Sequence, residues 1–189
     1  MANKIFCLKN NCANYAKSNL TALLVLPFEG TTDKIARLFS YFLHSAPCID
    51  SKHSRIIRHD KHAAIFNQMM EGRHFLSQKF CHSNAPINKE LASVFLDGND
   101  LCLKCKRFVC KRQRPDSGIQ ETDLKCFLRH IRNAIAHGRV YYRHEGNRVH
   151  IVFEDENPKT HNLTARIVCI QADLEHWKKV LQNPDNYED

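Results

Sequence analysis

The sequence predicts a mainly α fold, a helical bundle with a small C-terminal antiparallel β-sheet and a closing helix. Three observations carry this. Apolar residues recur at intervals of three and four through most of the first 138 positions, the period of helices with one buried stripe. After Gly138 the pattern changes to short β-rich runs, and a last helical pattern closes the chain. The 189 residues suit a single domain able to bury a sizeable core. The expected organisation is one domain over 1–189: a helical bundle over 1–138, a β-hairpin and sheet over 139–170, and a terminal helix over 171–183.

Residues 3–26 read as helix, broken by Pro27 and Gly30. Thr31 or Thr32 caps the next helix, whose stripe is Ile35, Leu38, Phe39, Phe42 and Leu43, ending at Ala46-Pro47-Cys48. Residues 49–62 are polar and basic, with His53, His59 and His62. No histidine pair at helical spacing with a carboxylate partner emerges there, so a solvated or phosphate-facing loop is preferred to a metal site. Asp60 starts a long helix to about Phe80, and Pro86 marks a turn before a helix from Asn88. Asp100 to Arg112 is expected to be helical after the Asp97-Gly98-Asn99 break.

Gln113 to Gly118, with Pro115, Asp116 and Gly118, read as a surface loop, with Ser117 and Gln120 spaced as a capping box, leading into a helix that starts near Leu124. Leu124, Phe127, Leu128, Ile131 and Ile135 make one buried stripe. At about 100° per residue, Asn133 and His137 fall on roughly the opposite side, with Cys126 and His130 near them and Arg132 on the flank. Gly138 suits the left-handed position that ends helices. Beyond it, Val140–Tyr142 and Val149–Phe153 flank a hairpin turn at Glu145-Gly146-Asn147. Leu163 to Ile170 is a third strand, and a helix from about Gln171 to Leu181 follows.

The formal net charge of +8 favours anionic partners and says nothing about fold. Nine cysteines raise the question of disulfides, but residues 1–11 lack a basic-then-apolar leader pattern. The longest apolar run, Leu20 to Phe28, contains Thr21 and Pro27 and falls well short of the ~20 residues that span a membrane. Reduced thiols in the cytoplasm, and no membrane association, are therefore the expectation.

Arg132-Asn133-x-x-x-His137 resembles the signature of the HEPN superfamily (higher eukaryote and prokaryote nucleotide-binding), an arginine, a polar residue and a histidine on a late helix. The resemblance implies a metal-independent endoribonuclease without a cofactor, acting on RNA at a cleft between two copies of the chain. In that reading Arg132 meets charge on the phosphorane and His137 transfers a proton, while Asn133 orients the imidazole tautomer or binds a phosphate oxygen. The family also implies a toxin or antiviral defence effector with a cognate antitoxin or regulator. The alternative is a non-catalytic HEPN module that binds RNA, nucleotide or a protein partner. In the branch of the family regulated by nucleotidyltransferase partners a tyrosine follows the histidine after one intervening residue; here Gly138-Arg139 follow His137 and the first tyrosine is Tyr141, so control through that tyrosine is not expected.

Lys104, Lys106, Arg107, Lys111, Arg112 and Arg114 form the candidate track for an RNA backbone, against the plainer reading of a solvated helix face. Cys102-x-x-Cys105 with Cys110 suggests half a zinc site, a third reading of the chain, but lacks a second pair, and core thiols are the simpler interpretation. Tyr141 and Tyr142 either stack bases or pack a sheet.

Overall fold

The computed structural model describes residues 24–25, 31–47, 56–95, 103, 105–114, 120–145 and 147–186. In chain order these form β1 (Leu24–Val25), α1 (Asp33–Ser40), α2 (His62–Met70), β2 (Ser77–Cys81), α3 (Ile87–Phe95) and β3 (Arg107–Lys111). Then come α4 (Asp123–Ala136), β4 (Val140–Glu145), β5 (Arg148–Glu156), β6 (Leu163–Ile170) and α5 (Gln171–Leu181). One six-stranded sheet in the order β1-β4-β5-β6-β3-β2 runs through the molecule. Its neighbours are antiparallel except β2 and β3, which run parallel.

The mainly α expectation with a small appended sheet is therefore overturned. The fold is α+β, and strands from both sides of Gly138 build its centre. Three segments expected to be helical contain strands. The helix expected from Asp60 to Phe80 ends at Met70, where Gly72 turns at φ +65, and β2 follows. The stretch expected to be helical up to Arg112 contains β3, buried on both faces. Phe108 and Cys110 face the larger core while Val109 faces the smaller, so the strand lacks the polar alternation that betrays a half-exposed one. Leu24–Val25, inside the helix expected over 3–26, pair with Val140 and Tyr141; the rest of that segment lies outside the described residues.

On one side of the sheet, α1, α2, α4 and α5 enclose the larger core. Its centre is aromatic: Phe127 of α4 lies 5.0 Å from both Phe108 and Trp177, and Trp177 Nε1 donates to the Met69 carbonyl at 2.9 Å. On the other side α3 sets Leu91, Val94 and Phe95 against Val109, Val152 and Val168. Thr32 caps α1 as expected, and Thr122 caps α4. The proposed Ser117 cap lies outside the described residues. Among the described residues no helix is long and apolar enough to cross a membrane.

Candidate active site

The C-terminus of α4 is set by three backbone hydrogen bonds. His137 N–H donates to Asn133, Gly138 N–H to Ile135 and Arg139 N–H to Ala134, with Gly138 at φ +66. This is the Schellman arrangement, in which the residue just past the helix must turn left-handed. It leaves His137 as the capping residue just past Ala136, exposed to solvent.

Arg129, Asn133 and His137, each four apart, line one cleft of about 490 Å³. Lys111, Arg112 and Arg114 enter it from the end of β3, Asp155 and Glu156 from the end of β5, and Ser83 and Asn84 from the turn after β2. Its lining side chains come from the C-terminal half of α4, the exits of β2, β3 and β5, and the start of β6. A neighbouring chamber of about 360 Å³ shares Arg112, Gln113 and Arg114 and adds His82 and Gln120. A larger groove of about 560 Å³ between α1 and α5 is lined by no histidine, and its Lys34 pairs with Glu175 at 2.7 Å.

Beneath the cleft lies a hydrogen-bonded floor. Asp155 Oδ2 is 2.7 Å from Nδ1 of His130 and accepts from Nδ2 of Asn133 at 3.2 Å. Nε2 of His130 lies 2.7 Å from the Lys111 carbonyl. Cys126 and His130, expected near the outward face of α4, are in fact buried, because β5 packs on that side of the helix. Burial pulls the His130 imidazole below its ordinary pKa, against the Asp155 hydrogen bond. Burial works to raise the Asp155 carboxyl, but the hydrogen bonds from His130 and Asn133 together with the charges of His130 and Arg129 hold it below the usual carboxylate range.

The cationic side chains divide into committed and available groups. Arg129 grips Glu121 through two hydrogen bonds of 2.7 and 2.8 Å and donates to the Lys111 carbonyl at 3.0 Å. Burial tends to raise Glu121, yet those bonds keep its pKa below the ordinary value. Arg112 pairs with Asp123 and lies 5.1 Å from the Phe80 ring centre. Lys111 and Arg114 line the cleft with no carboxylate paired to either side chain among the described residues.

Of the residues singled out in the sequence, Asn133 and His137 meet in the cleft with Lys111 and Arg112. Arg132 does not line it. The side chain is half-buried on the flank of α4, and its Nε is buried without a hydrogen-bond partner. Lys106 instead pairs with buried Asp173 at 2.9 Å and covers Phe75, and Arg107 is 2% exposed, donating to the Val94 carbonyl. Lys104 lies outside the described residues. Cys105 and Cys110 are buried, Cys102 is not described, and no cluster of three metal-ligating side chains occurs among the described residues.

Sequence reading did not single out Arg129 or Asp155. Arg129 was accessible, since it stands one turn before Asn133 on the same stripe. Asp155 sits in the polar exit Glu154-Asp155-Glu156 of a strand, and nothing local distinguishes it from its neighbours.

A helix ending on an exposed histidine, over a cleft supplied with cations, fits the class of HEPN proteins that the Arg132-Asn133…His137 spacing resembles. A HEPN family model matches residues 4–178, most of the chain, and the chain belongs to that family, described as HEPN pEK499 p136. No curated protein and no solved structure matches it.

Proposed function

We propose that this HEPN protein is an endoribonuclease that cleaves RNA by attack of a ribose 2′-hydroxyl on its own phosphate. The observation that supports it is His137, exposed at the end of α4 in the same cleft as Asn133, Lys111 and Arg114. The 2′-oxygen loses its proton and bonds to phosphorus, the bond to the 5′-oxygen breaks, and that oxygen takes up a proton. A histidine serves either proton transfer near neutral pH, and no metal is needed for the balance. Lys111 and Arg114 hold the backbone. Arg132, outside the cleft with its Nε buried, takes the phosphorane charge only by swinging in from the flank of α4. Since one chain brings one His137, a second copy across a two-fold axis supplies the other proton-transfer group, making RNA and a second copy the partners. A toxin or defence role with a cognate antitoxin or regulator follows from family analogy alone.

The test is incubation of the purified protein with total RNA in EDTA, with end-group analysis. The expected fragments carry 2′,3′-cyclic phosphate and 5′-hydroxyl ends, and His137→Ala and Arg132→Ala each abolish them. The position of Arg132 outside the cleft favours one second reading, a module that binds RNA without cutting it. In that case RNA is retained intact and both variants bind as the parent does.

A further inference from the structure

We propose that Asp155 is a positioning residue which, through Asn133, makes the cleft a reader of the ribose 2′-hydroxyl. The proposal rests on the ribonuclease reading and names the feature of the substrate that the site distinguishes.

The Asn133 carboxamide has two chemically distinct ends. One end carries only donors and the other only an acceptor. Asp155 Oδ2 accepts from Nδ2 at 3.2 Å, and a carboxylate cannot accept from the carbonyl end, so the amide orientation is set by its partner. Asp155 takes one of the two N–H donors of Nδ2 and so fixes which end of the amide is which, leaving the carbonyl oxygen Oδ1 as the acceptor offered to a ligand in the cleft that Asn133 lines. A phosphate oxygen has no hydrogen to offer that acceptor. A 2′-hydroxyl has one, and it is the proton that must leave when the hydroxyl attacks. His137, one turn further along α4, lines the same cleft and is the group that takes it.

Asp155 suits holding rather than contact. It is 4% exposed, and the same oxygen that engages Asn133 lies 2.7 Å from His130 Nδ1. His130 and Asn133 are three residues apart on α4, so a single carboxylate arriving from β5 bridges both and locks the helix to the sheet at the cleft.

The test measures binding, so that it does not depend on turnover. In a His137→Ala background, compare the affinity of a single-stranded RNA with that of the same sequence carrying 2′-fluoro groups, which keep an RNA-like sugar pucker but have no hydroxyl proton. The expected preference for the hydroxyl form is about 3–10-fold, one hydrogen bond's worth. Asp155→Ala should erase that preference, lowering affinity for the hydroxyl form by more than for the 2′-fluoro form. Asp155→Asn, whose carbonyl oxygen can still accept from both partners, should restore it. Asn133→Ala, which leaves the Asp155–His130 contact in place, should erase it too and serves if Asp155→Ala fails to fold. Equal loss for both ligands in Asp155→Ala, or a preference that survives Asn133→Ala, overturns the proposal. Failure of the ribonuclease reading shows separately, as intact RNA after incubation with the unmodified protein.

Discussion

Nδ1 of His62 lies 2.9 Å from the hydroxyl of Thr122, the residue that caps α4. Nε2 of the same ring lies 3.1 Å from the Ile57 carbonyl, which can only accept, so the neutral ring donates there and receives the Thr122 proton at Nδ1. The Thr122 oxygen then accepts from Lys125 N–H at 3.3 Å. A chain of hydrogen bonds thus ties α2 to the start of the helix that carries Asn133 and His137. Replacing Thr122 with Ala removes both the cap and the histidine's partner. The expected loss is about 1–2 kcal/mol of folding stability, read from urea melts.

Acid should weaken the fold in two stages. Burial lowers the pKa of both His62 and His130, so below about pH 6.5 the unfolded chain binds protons that the folded rings resist. Stability present above that pH is lost as pH falls. The second stage comes in the carboxylate range, where Asp155 and Glu121, both held below their ordinary values, must be protonated. Chemical denaturation from pH 8 to pH 3 should show both losses, and His62→Gln with His130→Gln should flatten only the upper one.

Gly138 has φ +66, a conformation that costs a side-chain-bearing residue about 1–2 kcal/mol. Gly138→Ala should therefore be destabilised by roughly that amount and should lose RNA cleavage beyond what its folded fraction explains, because the turn decides where His137 sits. Activity per folded molecule, with the folded fraction from circular dichroism, separates the two effects.

Removing cations from the cleft and from the interior should have different consequences. Lys111→Ala and Arg114→Ala should each lower the salt dependence of RNA binding, by up to about one unit in the slope of log affinity against log salt. Lys106→Ala breaks the pair with buried Asp173 and should reduce stability while leaving that slope unchanged. Titrations at several salt concentrations, beside thermal melts, distinguish these results.

Phe127 touches Phe108 and Trp177 at the point where α4, β3 and α5 meet. Phe127→Ala should cost about 3–5 kcal/mol, measured by equilibrium unfolding.

Local signals in the chain were enough to locate α4 and α5, the strands after Gly138 and the left-handed glycine beside His137, because each rests on spacing within about a dozen residues. The residue pair Asn133 and His137 was legible for the same reason: one turn of helix separates them. β2 and β3 were not legible. A strand buried on both faces, such as Arg107–Lys111, shows no alternation, and its flanking lysines and arginines imitate a charged helix face. Only the sheet decided that Lys111 and Arg112 reach the cleft while Lys106 and Arg107 turn to interior partners. It also brought Asp155 to Asn133 across 22 positions of chain. Periodicity reports which side of an element is apolar; which polar groups share a site depends on the strand that packs beside it, and that is a property of the folded whole.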